Sequence, residues 1–97
     1  MWVQVPPSAQ MYKIYILQSL KDLKTYTGYT KDINVRLQEH NLGNVDATWH
    51  RKPFKILYTE KVNNLKEAKL REKYWKTGGG RRKLARFFTE GFPPIND

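Results

Sequence analysis

Two β-prone runs lie close together near the start of the chain, and they constrain its fold more than any other feature. Tyr12-Lys13-Ile14-Tyr15-Ile16-Leu17 is rich in aromatic and β-branched residues, and Thr25-Tyr26-Thr27-Gly28-Tyr29 follows after a polar stretch, Ser19 to Lys24. Such a pair reads as a hairpin, with Tyr12, Ile14 and Ile16 alternating onto one face and the return strand ending near Gly28. Any fold available to this chain must be built on that antiparallel pair.

The remaining periodicities extend the frame. Thr30 or Asp32 can cap a helix running to about Asn41, with Gly43 as its stop signal. Ile33 and Leu37 face the core of that helix, and Arg36 and His40 lie beside the stripe, leaning towards whatever the helix packs on. Residues 44–53 read as a loop carrying Trp49-His50-Arg51-Lys52 and closed by Pro53, and Phe54 to Thr59 as a third strand. Asn64 with Glu67 suggests a capping box for a second helix over 65–77, with Leu65, Ala68, Glu72 and Trp75 inward. Leu70 and Tyr74 form a second patch that should meet the last helix. Gly78-Gly79-Gly80 should break the helix, with a third one from Arg81 to Phe88 burying Leu84, Phe87 and Phe88. The order β-β-α-β-α-α predicts an α+β fold: a small, mainly antiparallel three-stranded sheet flanked by helices.

Length and charge narrow the function classes. The 97 residues suit one domain with a modest core. Residues 1–10 carry no charge and read as a flexible, dispensable extension, residues 11–91 as the domain and 92–97 as a tail. Cysteine is absent, which excludes disulfides and thiolate metal sites. No apolar run approaches the roughly 18 residues of a membrane span, and no secretory signal is visible, so a cytoplasmic monomer is expected. The formal net charge is +9. Segment 63–86 holds nine Lys or Arg against two Glu, a net of +7. Clustered basic charge is the footprint of a phosphate-backbone partner, DNA or RNA.

Several residues could carry chemistry. Glu72 is a lone acid on an apolar helix face, costly there without a partner. It either pairs with Lys69, Lys73 or Lys76, or holds a cation. A single carboxylate suits Mg²⁺, which takes one or two protein oxygens and fills its other positions with water and substrate phosphate. Arg36 offers a fork that matches phosphate oxygens, or an ion pair with Asp32 or Glu39. His40 can donate or accept a proton near neutral pH, or simply favour a helix C-terminus. Tyr15 and Tyr26 sit on adjacent strands, where cross-strand packing is the ordinary role. Gly28 allows close approach of a backbone or ligand. Arg51 and Lys52, beside Trp49, mix cation and aromatic as nucleic-acid surfaces do.

In order and spacing these positions resemble the GIY-YIG nuclease family. Ile14-Tyr15 is similar to the end of its first motif, with Lys13 in place of Gly, and Tyr26-Thr27-Gly28 to the second, with Thr in place of Ile. Tyr15 and Tyr26 are eleven apart, Arg36 follows ten later and His40 four after that, spacings typical of the family. Ala68-Lys69-Leu70-Arg71-Glu72 looks like the segment carrying its metal-binding Glu. The resemblance runs from Met11 to about Lys83 and is closest to small single-domain bacterial members described as excision-repair-nuclease-like. An Asn that many members carry after the Glu helix is missing, and the Gly-rich turn replaces it.

The resemblance implies hydrolysis of DNA phosphodiesters with one Mg²⁺ or Mn²⁺, with a role in DNA repair or recombination. It implies Glu72 as metal ligand and Tyr15 as general base. Tyr26 and His40 would orient water or relay its proton, Arg36 would stabilise phosphate charge, and Gly28 would shape the floor. Arg51, Lys52, Lys73, Lys76, Arg81 and Arg82 are the expected nucleic-acid contacts. The competing expectation is a non-catalytic nucleic-acid-binding module on the same fold. A domain recruited by a protein partner is a third reading, and no exposed apolar motif supports it.

Overall fold

The computed structural model describes residues 11–95. The expectation for residues 1–10 therefore lies outside it, as does Asn96. The hairpin forms as strands β1 (Tyr12–Ser19) and β2 (Thr25–Thr30), with β2 continuing past Gly28. Helix α1 (Ile33–Asn41) follows, then a single 3₁₀ turn at Trp49–Arg51 and strand β3 (Phe54–Val62), three residues longer than expected. Helices α2 (Leu65–Trp75) and α3 (Gly78–Glu90) complete the fold. The sheet order is β2-β1-β3, antiparallel throughout, so the fold is the expected α+β arrangement.

Strand β1 is central and buried on both faces: Ile14, Ile16 and Leu17 are 0% exposed and Tyr15 1%. Ile14 and Ile16 pack with Val62, Ala68 and Trp75, bordered by Tyr58, Leu84 and Phe87, beneath α2 and α3. Tyr15 and Leu17 pack on the other face with Ile33 and Phe54, beside Tyr26 and Leu37, beneath α1. A bulge in β3, where Ile16 pairs Tyr58 but Leu17 pairs Ile56, lets Ile56 join the second cluster while Leu57 and Tyr58 join the first.

Three helix expectations are corrected. The glycines 78–80 do not break the helix; they are the first turn of α3, capped by Thr77, and α2 ends at Trp75 rather than residue 77. The reason lies in the packing, because a Cβ on Gly80 would sit 2.3 Å from the Tyr74 carbonyl oxygen and 2.5 Å from the Trp75 Cα. Only a residue without a side chain lets the two helices meet so closely. Leu65, expected inward, is 40% exposed, and Leu70, expected to meet the last helix, is 59% exposed. Glu60 on β3 accepts hydrogen bonds from Arg71 and Trp75, which rotates α2 about Ala68 and Trp75 instead. Phe88 is also exposed, at 49%, with the Phe92 ring of the tail 5.0 Å away between centroids.

Candidate active site

Local signals set the site. The Asp32 side chain accepts from the amides of Asn34 and Val35 at 3.0 and 3.1 Å and starts α1. Gly43, at φ +81°, lets the chain turn back after Asn41. His40 is thereby placed in the last turn of α1, 0% exposed. On the sheet, Tyr15 pairs opposite Gly28. A Cβ at Gly28 would stand 2.5 Å from the Tyr15 hydroxyl, so glycine is what allows the ring to lie across β2.

The Tyr15 hydroxyl is the hub. Arg36 Nε donates to it at 3.3 Å, and His40 Nε2 lies 3.0 Å away. The other ring nitrogen, His40 Nδ1, is 2.7 Å from the Thr48 hydroxyl. The imidazole is boxed by Tyr15, Tyr26 and Phe54, with ring centroids 5.7, 5.1 and 5.7 Å away. Burial pushes the Tyr15 phenol above its usual value, and the Arg36 hydrogen bond pulls in the opposite direction. Burial, reinforced by the Arg36 charge, lowers His40 to about 4, so the ring is neutral at neutral pH. One of its nitrogens then donates while the other accepts. A threonine hydroxyl can do either, so Thr48 satisfies both tautomers.

Arg36 also forms the ion pair with Glu39 foreseen as its alternative, Nη1 to Oε1 at 3.0 Å. Its Nε is nevertheless aimed at Tyr15. Glu72 likewise forms the ion pair foreseen as its alternative, with Lys76 Nζ 3.8 Å from Oε1 and its own side chain 28% exposed. The carboxylate is close enough to Tyr15 for its charge to raise the phenol. Among the described residues no three His, Asp or Glu side chains converge as a metal cage. A lone, half-exposed carboxylate therefore fits a cation of the Mg²⁺ or Mn²⁺ kind, held partly by water and substrate phosphate, and not a closed metal site.

The basic candidates divide. Lys52, Lys73, Lys76, Arg81 and Arg82 are exposed. Arg51 is committed within the fold: Nε pairs with Asp22 at 2.9 Å, Nη2 donates to the Thr25 carbonyl, and the guanidinium lies over Phe54. Two polar residues escaped sequence reasoning. Thr48 carries no local signal, because its burial depends on the loop folding back over His40 after Gly43. Glu60 lies one residue past the expected end of the third strand and carries no local signal either. It accepts from Arg71, from Trp75 Nε1 at 2.9 Å and from the Tyr58 hydroxyl at 3.3 Å. Burial pushes the Glu60 carboxyl up, yet these donors outweigh it and hold it below its usual value.

Residues 11–93 match the family model of the GIY-YIG catalytic domain. The chain belongs to the GIY-YIG family. It is 39% identical over 66 residues to a UPF0213 protein of Oceanobacillus iheyensis, covering 67% of this chain and 74% of that one. A UPF0213 protein of Staphylococcus aureus is 38% identical over 72 residues, covering 73% and 87%. The solution NMR structure of a UPF0213 protein from Bacillus halodurans superposes with a TM-score of 0.50 at 32% identity, covering 86% and 88% of the two chains. The GIY-YIG domain is a nuclease-type fold of an endonuclease family whose members generally use a divalent metal. No helix among the described residues is long and apolar enough to cross a membrane.

Proposed function

We propose that the protein is a metal-dependent endonuclease that hydrolyses phosphodiester bonds in DNA. The observation that carries the reading is the Tyr15 hydroxyl, which receives Arg36 Nε, contacts His40 Nε2 and lies within electrostatic reach of the half-exposed Glu72. A purely structural tyrosine has no need of an arginine and a histidine on one oxygen with a carboxylate in electrostatic reach.

The roles follow from the donors and acceptors. Glu72 would hold the divalent cation, which when bound supplies Lewis-acid stabilisation of the phosphate and leaving oxygen. A phenol raised by burial is a poor base alone. The cation and the Arg36 guanidinium would lower the cost of ionising it, with His40 Nε2 holding the hydroxyl in line to take a proton from the attacking water. Thr48 keeps Nδ1 hydrogen-bonded before and after that transfer. Tyr26, packed on the imidazole, would orient the water, and Arg36 would stabilise charge gathering on the phosphate. Gly28 gives the Tyr15 ring its room. Lys52, Lys73, Lys76, Arg81 and Arg82 would contact flanking phosphates, with a biological role in DNA repair or recombination.

The test is cleavage of linear, flapped and branched DNAs with Mg²⁺ or Mn²⁺. We expect cutting by the wild type and none by Glu72→Gln of equal thermal stability. A folded wild type that cuts none of them would leave the non-catalytic binding module as the better reading.

A further inference from the structure

A groove outside the Tyr15 hub leads away from Tyr26. Its near end, a hollow of about 300 Å³, is lined by Tyr26, Thr27, Trp75 and Lys76. Its far end, about 440 Å³, is lined by Leu23, Lys24, Ala85 and Phe88. Thr25, Arg81 and Leu84 line both hollows, so the two lie side by side along α3 and β2. The volumes are on the scale of small-ligand sites.

The two ends differ in chemistry. Arg81, Leu84, Ala85 and Phe88 fall at helical spacing and form one stripe of α3 facing the hairpin turn. Phe88 is 49% exposed and Leu23 66%. Leu23 sits at φ +63°, a backbone position costly for a side chain of its kind, and it displays that side chain at the groove's rim. Lys24, Arg81 and Lys76 are spread along the hollows, Lys76 beside Glu72 at 3.8 Å, and no acidic residue lines either hollow among the described residues. Strand β2 forms the wall and, among the described residues, pairs with β1 alone, as an edge strand of the sheet. Apolar faces beside cations without acids match a polyanion whose monomers carry flat apolar rings. A neutral peptide strand would have no use for three cations.

We propose that this groove is a subsite for an unpaired nucleic-acid strand, with Phe88 and Leu23 receiving a base face and Lys24, Arg81 and Lys76 the phosphates leading to the Tyr26 end. The proposal rests on the nucleic-acid reading of the site and adds the substrate class: a strand that is single beside the point of attack. Bases inside a duplex present no open face to Phe88, whereas an unpaired base does.

The test is equilibrium binding of the full chain, free of divalent cation, to three probes of about twelve nucleotides carrying 2-aminopurine: single-stranded DNA, single-stranded RNA and a blunt DNA duplex. We expect single strands to bind at least tenfold more tightly than the duplex, the two single-strand arms showing which sugar is preferred. Phe88→Ala should weaken single-strand binding about tenfold, and abolish 2-aminopurine quenching, while leaving duplex affinity unchanged. Leu23→Asn, which suits the left-handed backbone and lies on a different element, should act in the same direction. Duplex preference, equal weakening of all probes, or no effect of either variant would overturn the proposal. So would Phe88→Ala altering self-association while binding stays constant, which would make the stripe a protein contact. Binding in metal-free buffer does not require cleavage. A single-strand preference without cutting therefore sinks only the nuclease reading, and cutting without that preference sinks only the subsite.

Discussion

Two carboxylates lie at α2, one facing it from β3 and one carried on it, and the two are treated in opposite ways. Beneath α2 and α3, Glu60 is 15% exposed at its side chain and is met by Arg71, Trp75 and Tyr58. Its oxygens are satisfied, and its effect is to pin α2 to β3. Glu72, one residue beyond Arg71 on the same helix, has a single lysine at 3.8 Å. A buried acid with its donors in place stabilises the fold, and one left short of partners beside a tyrosine hub is available to a ligand. Arg71 and Trp75, both held by Glu60, flank Glu72 in sequence, so the satisfied acid sets the direction of the available one.

The largest expected effect separates the two acids. Glu72→Gln should remove several kcal/mol of transition-state stabilisation, about 10³-fold in cleavage rate, with melting temperature unchanged or slightly raised. If the variant melts clearly lower and loses activity only in proportion, Glu72 is structural and the comparison collapses.

His40 supplies the next effect. Its folded value, about 4, lies below the ordinary 6.5. Between those values the unfolded chain binds the extra proton, so stability rises with pH across that window. The contribution is complete above about pH 6.5 and is lost as pH falls towards about 4, amounting to about 2–3 kcal/mol. Denaturant unfolding from pH 4 to 7 should show this slope, and His40→Gln should flatten it.

Glu60→Gln should cost about 2 kcal/mol of stability, the lower range for breaking a buried pair because Arg71 is partly solvated. The folded fraction should still cut DNA, though less well if α2 loosens. Chemical denaturation beside a cleavage assay distinguishes this from Glu72→Gln.

Thr48→Val keeps the shape and deletes the hydroxyl. It should lower turnover about tenfold with KM for DNA little changed, and Thr48→Ser should restore it. Nitrogen NMR of the imidazole should show the tautomer balance shifting in Val and returning in Ser, a signature that simple loss of packing would not produce.

The smallest effect concerns the basic rim. On duplex DNA the log-log slope of affinity against salt should be about −4 to −5, and replacing Lys73 and Lys76 with Gln should flatten it by about 2 without changing sequence preference. A salt-independent affinity would remove the charge argument.

Much of this protein was legible one-dimensionally because it depends on short-range chemistry. Period-two alternation marked β1 and β2, Asp32 and Gly43 bounded α1, and the four-residue step from Arg36 to His40 put both on one helix edge. Charge density in 63–86 needed only counting. Tertiary structure decided whatever depends on residues distant in sequence. Thr48 became a partner of His40 only once the loop folded over α1. Glu60 holds α2 through Arg71 and Trp75, and Leu65, part of the helix's own apolar stripe, is left 40% exposed. The glycines 78–80, which locally signal a break, became a helix start because α3 crosses α2 too closely for any Cβ at Gly80. Periodicity reports which face of an element is apolar, whereas the contacts that orient the element and bury Thr48 and Glu60 arise from partners that the local sequence does not name.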